Sequence, residues 1–421
     1  MTSHRDCGTR RTAGPCLLVA ALLSAPGVAP PAAGADAAAP TDWPHWRGPD
    51  CNGISKETAW SWTWPADGPK VLWRAKVGTG YSSFAVSGGR AYTMGNARNK
   101  DTVFCFDAAT GKEIWSHTYN CPLDPKFHNG GPNATPTVDG GLVYTVSKKG
   151  HVFCLDAAGG KVKWSHNVAA STPTWGFAGS ARVLGDLVVL NCGNAGLALD
   201  KKTGKPRWQS GGGGGGYSTA LPLTVDGKAC VLLALKDTIG LVEVATGRTL
   251  WTFPWKTRYD VNAADPIPRG GRMFISSGYN HGCALVDFAS GAPKAVWQNR
   301  EMRNHFNSCV LLGGHLYGFD ENMLKCLDWN TGRTVWEKKG LGKGALMAAA
   351  GKLIVMADDP LRGSRGRLKI VEASPAGYRE LASAKVLPGR SRCWSTPILS
   401  GGRIYCRDTH GNVACVDVRG K

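Results

Sequence analysis

The chain has 421 residues, 43% hydrophobic and 19% charged, with a formal net charge of +19. Its one sustained apolar run, near the N-terminus, is too short to cross a bilayer and no later segment is apolar enough, so the sequence predicts no membrane span. The basic balance predicts attraction to anionic surfaces (lipid headgroups, acidic polysaccharide, nucleic acid or an acidic protein) without choosing among them.

Residues 1–35 read as a secretory signal. Arg5, Arg10 and Arg11 precede the apolar run Cys16 to Leu23, small residues follow, and Ala33-Gly34-Ala35 places cleavage near Ala35. Cys16 begins the apolar run rather than ending it, so no lipid anchor is expected. Loss of this segment lowers the formal charge to +17 and predicts an exported chain, periplasmic or extracellular. Residues 36–70 are rich in Pro and Trp, which forbids a regular helix or a central strand. They read as an arm.

From residue 71 onward the chain reads as strands. Val71 to Val77 is one, carrying Trp73. The clearest pattern runs from Gly131 to Trp164. It holds four short apolar strands joined by turns at Asp139-Gly140-Gly141, Lys148-Lys149-Gly150 and Asp156 to Gly160. One such sheet cannot bury both of its faces, so copies must stack. An acid ends the third strand of each copy at Asp107, Asp156, Asp200, Glu243, Asp287, Asp328, Glu372 and Asp417, spaced 41 to 49 residues apart. Gly follows four positions later at Gly111, Gly160, Gly204, Gly247, Gly291 and Gly332, and Trp ends the fourth strand at Trp115, Trp164, Trp208, Trp251, Trp297 and Trp336. The carboxylate is suited to accept N–H groups of its own turn, Gly to take positive φ, and Trp to pack between sheets. Eight four-stranded units predict an all-β fold, an eight-bladed β-propeller over residues 71–421. The eighth copy runs out of chain. The Trp73 strand is its donor, so the N-terminal strand closes the ring and removes the open edges. The arm is then expected over the outside or base of that ring.

Of 14 cysteines, Cys7 and Cys16 lie in the signal segment. Cys105, Cys154, Cys326 and Cys415 share one slot of the repeat, which argues for buried packing. Were His410-Gly411 a two-residue turn, Cys406 and Cys415 would lie opposite, within reach of a disulfide.

Propeller topology gathers the starts of the inner strands on one face. These include Tyr81, Asn133, Trp175, Tyr217, Asn262, His305, Asn307 and Trp394, a funnel suited to a small molecule or peptide. Small polar residues also fit a narrow channel mouth in any propeller. Gly211 to Gly216 reads as a flexible loop over the funnel. Hairpin tips at Arg98, Lys100, Lys148, Lys149, Lys236, His281, His410 and Arg362 to Arg367 make the same face basic.

The motif Trp43-Pro44-His45-Trp46-Arg47-Gly48-Pro49, followed by repeats of the form Asp-Ala-x-Thr-Gly-Lys-x-x-Trp, resembles the pyrroloquinoline-quinone-like (PQQ-like) β-propeller repeat proteins. That family includes the quinoprotein alcohol dehydrogenases and the outer-membrane assembly factor BamB. Ser277-Gly278-Tyr279, Met302 to His305 and Gly340 to Gly344 are similar to a secreted subgroup common in planctomycete-type bacteria. The resemblance spans Trp43 to Asp417 and implies a propeller of the quinoprotein alcohol dehydrogenase-like type. In those enzymes PQQ sits in the funnel with an Asp base, Ca²⁺ on Glu/Asn/Asp, an Arg near the quinone oxygens, a Trp under the ring and a disulfide between adjacent cysteines. This chain has no Cys-Cys pair and no Cys-x-x-Cys-His haem motif. Asp265 near Asn262, Arg303 near His305, and Trp175 or Trp394 are the candidates for parts of that set. No Ca²⁺ constellation, zinc site or Ser-His-Asp motif is legible, so no metal ligands are assigned.

Two function classes follow. The first is an exported, non-catalytic envelope propeller, a monomer whose funnel face takes an envelope protein or an anionic polymer or ligand, with no specific nucleic-acid role. The alternative is a PQQ- and Ca²⁺-dependent oxidoreductase acting on an alcohol or sugar.

Overall fold

The computed structural model describes residues 41–125, 128–213, 215–358, 361 and 365–420. The signal-like segment 1–35 and the tip residues Arg362, Gly363 and Ser364 lie outside them. The strands form eight sheets, each built on four antiparallel strands running from the inner to the outer edge. Blade 1 is Ala85–Ser87, Arg90–Ala97, Lys100–Asp107 and Glu113–Asn120. Blade 8 takes its three inner strands, Ile398–Ser400, Arg403–Arg407 and Asn412–Asp417, from the C-terminus and its outer strand, Val71–Lys76, from the N-terminus. Trp73 pairs with Cys415 in that junction. The cores lie between neighbouring sheets, where the alternating apolar residues of the strands are buried.

The repeated Trp and Gly act together, and across blades. Gly111 has φ +72°, and a Cβ there would lie 2.5 Å from the indole of Trp73. Gly160, Gly204, Gly247 and Gly332 meet Trp115, Trp164, Trp208 and Trp297 in the same way. Each of these five Trp therefore lies flat on the turn glycine of the next blade. Its Nε1–H donates to a carbonyl of that turn: Trp73 to Ala108 at 3.2 Å, Trp115 to Ala157 at 2.9 Å, Trp164 to Lys201 at 2.9 Å and Trp208 to Val244 at 2.7 Å. The turn carboxylate caps its own loop, as where Asp107 Oδ1 accepts the N–H groups of Ala109 and Thr110 and the Thr110 hydroxyl. Trp251 breaks the pattern. It packs on Phe288, with ring centroids 5.5 Å apart, and nothing lies within 4 Å of the Cβ position at Gly291.

Blade 7 lacks a Trp, and the arm fills the gap. Trp60 bridges to Arg419, Ser61 N–H donates to Val418, and the Lys352 ammonium sits 4.0 Å over the Trp62 ring. Trp60, Trp62 and Trp64 thus seal the seam between blades 7 and 8.

The arm does more than wrap the base. Trp43 pairs with Val86 of blade 1, and Pro44 accepts from Val138 of blade 2. The chain then turns into the central channel at Trp46 and Arg47, and leaves as Ile54–Ser55, a parallel fifth strand on the inner edge of blade 7. Glu57 finishes it by accepting the N–H groups of Gly401 and Gly402.

The disulfide expectation is corrected by register. Cys406 faces Ala414, and Cys415 faces Tyr405. The turn is longer than two residues because Asp408 Oδ1 caps it, accepting from His410 and Asn412. Both thiols are free and buried.

Candidate functional site

The inner strands begin with a small polar residue, and these residues form a chain of hydrogen bonds around the channel. Ser83 N–H donates to Thr135 Oγ1, Thr135 to Ser180 Oγ, Ser180 to Thr219 Oγ1, Thr219 to Asp265 Oδ1, and Asp265 to Ser308 Oγ, all between 2.8 and 3.0 Å. Each of blades 1 to 5 ties its backbone to a side chain of the next. The hydroxyl-rich starts seen in the sequence are therefore first a lock between blades. The second residue before each inner strand was the available signal, since it carries a side-chain oxygen in seven of the eight blades.

Asp265 fills that slot where other blades carry Ser or Thr, and its second oxygen is left to reach the channel. There Oδ2 accepts from Trp46 Nε1 at 2.6 Å. Arg47 Nε lies 3.8 Å from the same oxygen, and the Arg47 guanidinium donates to Asn52 and Cys309 carbonyls. His45 Nδ1 accepts from Arg182 at 2.7 Å, and burial followed by that guanidinium pulls its pKa down to about 3. Trp46 thus closes the channel from below and becomes the floor of a funnel. The funnel encloses about 920 Å³ of empty space, its open mouth included.

Eight sequence-nominated residues line it: Tyr81, Asn133, Trp175, Tyr217, Asp265, His305, Asn307 and Trp394. Tyr81 stacks on Trp394 at 6.0 Å, and Phe306 lies 4.4 Å from Trp394. Trp175 stands edge-on to Tyr217 at 5.9 Å. Asn133 donates to the Trp175 carbonyl, and Asn307 donates to the carbonyls of Gly344 and Trp394. Trp46, His128 and Tyr279 also line the funnel and were not anticipated.

Two nominated residues fall elsewhere. Asn262 is 1% exposed, and its amide donates to Leu235 and Trp255 carbonyls while Ser277 donates to its oxygen. It ties a loop together below the surface. Arg303 is gripped by Asp320 through Nε at 2.6 Å and Nη2 at 2.8 Å, and Lys325 holds the same carboxylate at 2.8 Å. The Arg faces its own blade and does not line the funnel.

His305 does line it. Lys343 Nζ donates to its Nδ1 at 2.7 Å and pairs with Glu321 at 2.9 Å. Burial, then the Lys343 charge, lowers the pKa of His305 to about 4. The imidazole is neutral near pH 7, and with Nδ1 accepting, its proton sits on Nε2. Burial first, then the charges of Arg392, Lys148 and Lys343, hold His128 below the ordinary range too. Arg392 lies over the Trp394 ring at 4.6 Å.

The glycine run is packed rather than draped at its end, Gly215 and Gly216. A Cβ at Gly215 would lie 2.6 Å from Cys192 Cα, and one at Gly216 would lie 1.6 Å from the Ala234 carbonyl. Close backbone approach, not freedom, selects glycine at these two positions.

A quinone with Ca²⁺ needs converging oxygen donors. Among the lining residues Asp265 is the single carboxylate, and Trp46, Thr219 and Arg47 already occupy it. Among the described residues no cluster of three His, Cys, Asp or Glu converges as a metal site would require. The residues present do not fit that pair.

Comparison with known proteins gives one family and one fold. A family model described as "Outer membrane protein assembly factor BamB" matches residues 65–258 and again 235–421. The BamB of Burkholderia pseudomallei (strain K96243) is 26% identical over 244 residues, which cover 55% of this chain and 58% of that relative's length. The structure of BamB from Moraxella catarrhalis superposes with a TM-score of 0.61 at 16% identity, over 83% of this chain and 99% of that one. The quinohemoprotein alcohol dehydrogenase of Comamonas testosteroni superposes at 0.67 with 15% identity, over 90% of this chain and 81% of that one. At these identities the superpositions establish the shared propeller.

Proposed function

The chain belongs to the family of the outer membrane protein assembly factor BamB, and from that premise we propose that it is an exported, non-catalytic β-propeller of the cell envelope. It acts as a rigid monomeric scaffold that offers its funnel face to an envelope protein or an anionic ligand. The observation that carries this reading is the floor of the funnel. Trp46 closes it, and Asp265 is committed to holding Trp46. The acid best placed to serve as a base therefore has a structural task. The chain of N–H to side-chain bonds around the channel supports a stiff platform rather than one that rearranges during turnover.

A PQQ-dependent oxidoreductase acting on an alcohol or sugar is the second reading. The aromatic wall of Tyr81, Phe306 and Trp394 favours it, since a planar ring packs well against aromatic side chains. The committed Asp265 and the clamped Arg303 weigh against it. Titration of the exported protein with PQQ and Ca²⁺, followed by quinone absorbance and dye reduction with alcohols, separates the two. We expect neither signal. Bound quinone with turnover overturns the scaffold reading. N-terminal sequencing of the exported product is expected to begin near residue 36.

A further inference from the structure

The funnel is rich in hydrogen-bond donors and poor in free acceptors. Ser180 Oγ and Thr219 Oγ1 each accept a backbone N–H, which leaves their hydroxyl protons available to the cavity. His305, neutral and accepting from Lys343 at Nδ1, offers Nε2–H. Asp265 is already occupied. At the rim the Arg392 guanidinium rests on the Trp394 face with no carboxylate partner among the described residues, whereas Lys343 is paired to Glu321. A ligand that satisfies these groups must be rich in acceptors, carry a negative charge at the rim, and present an apolar face to the aromatic wall of Tyr81, Phe306 and Trp394.

From this juxtaposition we propose that the funnel binds the uronic-acid end of an acidic glycan, its carboxylate on Arg392 and its ring against the aromatic wall of Tyr81, Phe306 and Trp394. This rests on the scaffold reading above and names the ligand of the same face. A pyranose ring presents C–H faces for the aromatic side chains and ring oxygens for the Ser180, Thr219 and His305 donors. An aromatic carboxylate would meet Arg392 but leave those buried donors without partners, which is costly. The depressed pKa of His128, caused by burial and then by the charges of Arg392, Lys148 and Lys343, is consistent with an anion-seeking mouth.

The test is calorimetric titration of the exported protein with a galacturonate oligomer, a neutral glucose oligomer and benzoate, repeated with Arg392→Gln. The backbone carbonyl of Arg392 accepts from Thr409, so that tie survives the substitution, and an unchanged melting temperature checks the fold. We expect the uronate to bind in a salt-sensitive manner. Arg392→Gln should weaken it about tenfold or more, the value of one charge-assisted hydrogen bond. Neutral glycan and benzoate should bind at least about tenfold more weakly than the uronate. Equal binding of the neutral oligomer or of benzoate, indifference to Arg392→Gln, or no uronate binding each overturns the proposal. Retention of an envelope protein by a chain that ignores uronates would refute the ligand class alone. PQQ binding with turnover would refute the scaffold reading beneath it.

Discussion

Trp46→Phe should loosen the whole ring, although it keeps an aromatic group in the channel. It removes one hydrogen bond, from Nε1 to Asp265 Oδ2 at 2.6 Å. The Asp265 side chain is 3% exposed, so water cannot replace the lost donor. The carboxylate keeps the Thr219 N–H at 2.8 Å and Arg47 at 3.8 Å, so it remains partly satisfied. Hydrogen bonds to charged groups contribute about 1.5–3 kcal/mol, which sets the expected loss near 2 kcal/mol. Equilibrium unfolding in guanidinium reads it as a lower midpoint at unchanged slope. Asp265→Asn in the same background completes a double-mutant cycle. Its coupling should be at least about 1 kcal/mol, because both changes break the same contact. A Trp46→Phe midpoint equal to that of the wild type, or strict additivity in the cycle, would refute the latch.

Trp73→Ala removes the indole that joins blade 8 to blade 1 and should cost about 3–5 kcal/mol, read by thermal unfolding. Gly111→Ala and Gly291→Ala share positive φ, but only the first collides with a Trp, so Gly111→Ala should be the more damaging by more than about 1 kcal/mol. Arg407 is buried and donates to Thr93, Met94, Gly78 and Gly80, tying blade 8 to blade 1. Arg407→Met leaves those acceptors unfilled and should cost about 3 kcal/mol or more in the same unfolding experiment. His45 and His305 have folded-state pKa values near 3 and 4, below the unfolded value of 6.5. The unfolded chain therefore binds more protons between those limits. Their contribution is fully present above pH 6.5 and is lost as pH falls toward 4 and then 3. His45→Gln should flatten that part of the pH–stability curve, and an unchanged slope would refute the assignment.

The blades were legible because their signal is local and repeated. Asp107, Gly111 and Trp115 lie within nine residues, and the same spacing returns in later copies. Closure by the Trp73 strand followed from counting strands. The site was less legible because it is made by contacts between distant residues. Trp46 meets Asp265 across 219 positions, and nothing around either residue marks the other. Asn262 and Arg303 stand where the repeat would aim them at the funnel, but the neighbouring Ser277 and Asp320 capture them. The Cys406 register failed on one side chain, since the Asp408 carboxylate lengthens a turn that Gly411 alone suggested would be tight.

The seam between the first and last strands also sets an order of events. Lys76 contacts Asn412 across 336 residues, so the strand Val71–Lys76 waits for Asn412–Asp417, made much later. Until Asn412–Asp417 is made, the wheel has two raw edges that invite pairing with other chains. Such long-range pairing is slow to find. A nascent chain of this kind needs shelter from its neighbours while it waits. Loss of Asn412–Asp417 would undo both ends at once.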